Sequence, residues 1–189
     1  MLPPAVLDQL QQLQELNRAF LGLLQSRARQ QDSCLGLSPA VRVAVASASG
    51  ALLDGVACFP RALFHAELGP RPRLQRDERN ADFDEAEHDL CLSILFAARH
   101  TSRHSPYQAR LLFGLPVAEV ERLCASPLAE LQHLACVPGV LRRAFREPHW
   151  FWERLFTATR PELRRQLTLM ALQPSALRWP QRRPPQASV

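Results

Sequence analysis

The sequence predicts an all-α chain made of two similar multi-helix units. Three observations carry that reading: an apolar seam of helical period near the start, short segments cut by Gly and Ser-Pro signals, and a self-match at a shift of 78 positions.

The seam comes first in the chain. Val6, Leu10, Leu13, Asn17, Phe20 and Leu24 alternate spacings of four and three, which aligns them along one stripe of a helix. Asn17 interrupts the apolar stripe. A polar seam residue either finds its mate across an interface with another chain or bonds locally inside its own domain. The first alternative makes Asn17 and Phe20 partner-interface residues, and it predicts that Asn17→Leu raises stability while loosening oligomer specificity.

Gly36 ends that region, and Ser38-Pro39 supplies an N-cap followed by a residue whose fixed φ suits the first helical position. Ser49-Gly50 and Phe59-Pro60 punctuate two further short helices, expected over 51–57 and 60–68. Helical period then disappears in Gly69-Pro70-Arg71-Pro72-Arg73 and the polar stretch to Asn80, so 69–81 reads as a linker between a first unit at 1–68 and a second at 82–173. Asp82 and Glu85 have capping-box spacing, and Asp84, Glu85, Glu87 and Asp89 suit the positive end of a helix expected over 83–104. Ser105-Pro106 breaks that helix, Gly114 ends the next segment, and Ser126-Pro127 repeats the Ser38-Pro39 signal. Thr159 and Glu162 form another capping box before a helix to about Leu172, and 174–189 is a basic, Pro-rich tail expected to be disordered.

The self-match aligns Cys34-Leu35-Gly36-Leu37 with Leu112-Phe113-Gly114-Leu115, and Val56-Ala57-Cys58-Phe59-Pro60 with Leu134-Ala135-Cys136-Val137-Pro138, with no gap between the two blocks. One short helical unit written twice accounts for this.

Every one of the 23 basic residues is Arg, and the formal charge is +5. Coding bias explains an Arg-only chain, and so does recognition of phosphate or carboxylate by the guanidinium fork. The five cysteines are scattered singly and read as reduced core thiols, with neither a zinc module nor a redox motif. His100 and His104 lie one turn apart, but no third ligand accompanies them; they are expected to stabilise a helix C-terminus, and no metal or cofactor is expected. The chain lacks a Gly-rich phosphate loop, a nucleophile elbow and an H-E-x-x-H motif, so a non-enzymatic role is expected. With neither a secretory leader pattern nor an apolar run of about 18 residues, it is expected to be cytoplasmic and free of the membrane.

Trp150, Phe151 and Trp152 stand side by side, and three such rings on one helix cannot all face one core. Trp150 and Trp152 are therefore candidate partner anchors, the alternative being a core edge. Ten arginines from Arg142 to Arg183, among them Arg154, Arg160, Arg164 and Arg165, crowd the last quarter, as a solvated surface or as phosphate contacts to DNA.

The second unit resembles the FlhD family, the D subunit of a flagellar master transcription activator, from His88 to Arg160. The likeness lies in the order and spacing of Cys91-Leu92-Ser93, the apolar run Ile94 to Ala98, Leu112-Phe113-Gly114-Leu115, Leu123 to Leu128, Leu131, Leu134-Ala135, and His149 through Leu155 to Thr159-Arg160. The first unit is similar from Leu16-Asn17 through Phe20-Leu21 to Leu35-Gly36-Leu37, but is about four residues shorter between them. The resemblance implies an all-helical protein, able to form a homo-oligomer, that acts with a zinc-binding FlhC-like partner at promoters of flagellar or conjugative-element genes. It also implies that Thr159 and Arg160 lie near DNA. The cysteine that can bridge subunits in the family falls at Arg142 in the second unit and Phe64 in the first, so that disulfide is not expected. The alternative function is a protein-interaction adaptor or anti-activator that binds no DNA.

Overall fold

The computed structural model describes residues 4–30, 36–68, 84–145, 150–157 and 166–169. The chain is mostly helical: α1 (Pro4–Arg29), α2 (Pro39–Ser47) and α3 (Gly50–Ala57) lead to a short strand, β1 (Phe64–Ala66). Then come α4 (Glu85–His104), α5 (Pro106–Phe113), α6 (Val117–Ala125), α7 (Leu128–Ala135), a second strand β2 (Leu141–Arg143) and α8 (Trp150–Thr157).

Local chemistry accounts for most of the boundaries. Ser38 and Ser49 cap α2 and α3, each hydroxyl accepting a backbone N–H three residues on, and Ser105 ends α4 and caps α5 at once. Two caps differ from expectation. Asp84 caps α4, its carboxylate accepting from the N–H groups of Ala86 and Glu87, while Asp82 lies outside the described residues. Pro127, which offers no side-chain acceptor, stands before α7, and Ser126 is buried instead.

The helix expected over 60–68 is a correction. Phe64–Ala66 is extended and pairs antiparallel with β2, with Phe64 opposite Arg143, His65 opposite Arg142 and Ala66 opposite Leu141. A strand of three residues has no period to read, and its partner is far away in sequence. Among the described residues the otherwise helical fold thus carries one two-stranded ladder.

Packing crosses the boundary between the two sequence units. α1 lies against α2, α3 and α4, α8 covers α2 and α3, and one continuous apolar core joins Phe20, Leu53, Phe64, Ile94, Leu131 and Trp152. At the far end of α1, Arg27 pairs with Asp84 at 3.1 Å and with Glu87, tying its last turn to the acidic start of α4. No single helix among the described residues is long and apolar enough to cross a membrane.

Candidate functional site

The densest chemistry gathers where β1 meets β2. Asn17, on the buried face of α1, points its amide into the turn that follows α3. Its Nδ2 donates to the carbonyls of Ala57, Phe59 and Arg61 at 3.3, 3.2 and 3.1 Å, and its Oδ1 accepts the Leu63 N–H at 2.9 Å. Two amide hydrogens serve three acceptors, so one of those bonds is shared. The local alternative is therefore the one observed: the seam of α1 faces the chain's own core, and Asn17 moulds the turn that delivers β1.

Phe20, one turn on, is also internal. Its ring meets Phe64 of β1 at 5.8 Å and Trp152 of α8 at 6.4 Å. Trp152 is buried, with its indole N–H donating to the Ala144 carbonyl at 2.8 Å. Of the aromatic trio only Trp150 is half-exposed, and the Arg154 guanidinium lies over its ring at 4.6 Å. Among the candidate partner residues, Trp150 alone reaches the surface. Asn17, Phe20 and Trp152 are spent inside the chain.

Two buried arginines cross between the halves. Arg143 of β2 donates to the carbonyl of Gly36 at 2.9 Å, and Arg61, just before β1, lies against Gly114. Arg61 also sits 5.2 Å over the ring of Phe145, which stacks on Phe151 at 4.3 Å. That sandwich holds Phe145 in the left-handed region at φ 53. Neither arginine was singled out as a clasp by the sequence, because in sequence an arginine just before a short strand, or at the end of one, looks like any exposed base. The usable signal was the pair of loop glycines, Gly36 and Gly114, standing 78 positions apart with φ of +78° and +70°.

Electrostatics follow from this burial. Loss of water pulls the Arg61 guanidinium down to about 10 and the His65 imidazole down to about 4, Glu67 partly offsetting the latter while Arg142 and Arg61 add to it. Burial pushes the Glu119 carboxyl up to about 7 and the Cys91 thiol up to about 12. Cys91 is thus buried and protonated, whereas Cys58 and Cys136 are exposed rather than core thiols, and Cys34 lies outside the described residues. His100 and His104 face each other at 4.2 Å at the end of α4, and no group of three potential metal ligands occurs among the described residues.

The His65 shift has a measurable consequence. Its imidazole takes a proton near pH 6.5 in the unfolded chain and near 4 in the folded one, so stability is present above pH 6.5 and is lost as pH falls toward 4. The shift corresponds to roughly 3 kcal/mol. Glu119 acts in the opposite sense, gaining stability as pH falls from about 7 toward 4.5. Comparing denaturant midpoints of the wild type and His65→Asn isolates the His65 part, and the variant should show a flatter loss between pH 6.5 and 4. Parallel curves would mean that His65 is hydrated.

The arginines of the last quarter divide. Arg142 pairs with Glu67 at 2.7 Å, Arg143 is buried and Arg154 covers Trp150, so these three are engaged by the chain itself. Thr159, Arg160, Arg164 and Arg165 lie outside the described residues. No family model, no curated protein and no solved structure matches this chain.

Proposed function

We propose that the chain is an internally duplicated, FlhD-like subunit of a heteromeric transcription activator, acting with an FlhC-like zinc-binding partner at promoters. The observation that carries this reading is the ladder. Advancing or retreating each residue by 78 positions turns the pair Phe64 with Arg143 into Arg142 with His65, which is the neighbouring pair of the same ladder. A ladder that maps onto itself is what two copies related by a two-fold axis produce.

Further features support it. α2 and α6 each have nine residues and start 78 positions apart, and α3 and α7 each have eight with the same separation. Gln25 of α1 donates to the Ala48 carbonyl that ends α2, and Arg99 of α4 donates to the Ser126 carbonyl that ends α6. Ala48 and Ser126 are again 78 apart, but Gln25 and Arg99 are separated by four fewer, matching the shorter first unit. Phe64 and Arg142, which hold the places of the family's bridging cysteine, lie on the two facing strands, one pair apart. In this reading one chain does internally what two family subunits do by dimerising.

The partner surface includes the half-exposed Trp150, and DNA is met through Thr159, Arg160, Arg164 and Arg165. Co-expression with a Cys-rich FlhC-type protein is the direct test, and stable co-purification is expected. Replacing Arg160, Arg164 and Arg165 together with Ala should leave that complex assembled, weaken DNA binding for all sequences alike, and flatten the slope of log affinity against log salt by up to about 0.9 per lost contact. An assembled complex with an unchanged salt slope would favour the adaptor role.

A further inference from the structure

The corner where α4 turns into α5 exposes two arginines together with two histidines and a tyrosine. Ser105 makes the corner tight, donating its N–H to the Thr101 carbonyl at 2.8 Å while its hydroxyl accepts the Gln108 N–H at 3.3 Å. Thr101, Ser102, Ala109, Leu112 and Phe113 face inward, which leaves His100, Arg103, His104, Tyr107 and Arg110 exposed on the outer side, Tyr107 at 71%.

Two features separate this corner from an ordinary solvated face. The sequence has no Asp or Glu between Asp89 and Glu119. Moreover, Arg42 aside, every other arginine among the described residues engages a carboxylate, a carbonyl or an aromatic ring of the chain, while Arg103 and Arg110 engage none. Helix-dipole compensation accounts for Arg103 and His104 in the last turn of α4. It does not account for Arg110 one helix later, beside an outward Tyr107. The five side chains come from the C-terminal end of α4 and the first half of α5, a stretch long enough to meet more than one phosphate of duplex DNA.

We propose that this corner binds the DNA phosphate backbone, with Arg103 and Arg110 as the principal contacts. The inference rests on the reading of the chain as a subunit of a DNA-bound activator, and it names a contact surface separate from the C-terminal arginines. Glu121, exposed on α6 and on the wall of the groove next to Tyr107 and Arg110, sets the edge of the favourable surface.

The test uses the full chain and a fluorescently labelled duplex of scrambled sequence, titrated by anisotropy between about 50 and 200 mM salt. Arg103→Ala with Arg110→Ala should weaken binding roughly 10- to 100-fold at the low end and flatten the salt slope by about 1.8. Arg42→Ala, which removes the other unengaged guanidinium, should change neither. The variants replace exposed side chains, and an unchanged circular dichroism spectrum checks the fold. Wild-type chain that binds no duplex overturns the proposal, as does a double variant that binds like wild type, or an Arg42→Ala loss of equal size. Preferential binding of polyglutamate over duplex assigns the corner to an acidic protein and also overturns it. Failure of co-purification with the FlhC-type partner, with DNA binding intact, would instead count against the functional reading alone.

Discussion

Asn17→Leu should lower the thermal midpoint by roughly 10 °C or more while leaving the oligomeric state unchanged. The substitution strands the Leu63 N–H and removes the donor shared by the carbonyls of Ala57, Phe59 and Arg61, in a site with no access to water. Each buried polar group left without a partner costs about 1–3 kcal/mol, whereas the extra apolar surface of Leu returns about 2 kcal/mol at most. The net loss of about 3–5 kcal/mol is a large part of the stability of an ordinary domain. This reverses the expectation drawn from the seam, under which an apolar replacement strengthens an interface. Calorimetry beside size-exclusion chromatography separates the two: a raised midpoint with altered oligomer size would restore the interface reading.

Gly114→Ala is the second large effect. At φ +70° any Cβ is strained by about 1–2 kcal/mol, and here the new methyl would also collide with Nη2 of Arg61, with Cζ at 3.0 Å and Nε at 3.1 Å. Arg61 as a residue is 5% exposed and its guanidinium rests on Phe145, so it has little room to withdraw. A total near 3 kcal/mol is expected, of the size found for overpacked cores. Gly139→Ala is the internal control, since φ is +75° but no atom lies within 4 Å of the added methyl. It should cost only the backbone strain. Equal losses in the two variants, read from denaturant midpoints, would show that Arg61 moves aside freely.

These two residues also show what was legible in the sequence. The spacing around Asn17 correctly announced a buried polar group on an apolar helix face, but period cannot say whether the covering surface belongs to the same chain. Ser38 was legible as a cap because a cap is a local bond between a side chain and a nearby N–H, whereas Ser49 and Ser105, read only as breaks in the helical pattern, also cap, and Ser126, given the same signal as Ser38, does not. The β1–β2 ladder was not, since its stability comes from a partner strand nearly 80 residues away. Arg61 and Arg143 were missed for the same reason: an arginine becomes a clasp only through the distant loop it reaches. The division at 69–81 did not announce that the segments on its two sides share one core.

The ladder has a consequence for biosynthesis. β1 and the aromatic face around Phe20 and Phe59 are complete early in translation, but the elements that cover them, β2 and α8, emerge roughly 80 residues later, about 4–16 s at ordinary ribosome speeds. For that interval the nascent N-terminal half presents an unpaired strand edge and an uncovered apolar surface, both of which invite association with other nascent chains. Because β1 and β2 belong to one polypeptide, the cover is always tethered to the half that waits for it, whereas a strand on a separate chain would have to find it by diffusion.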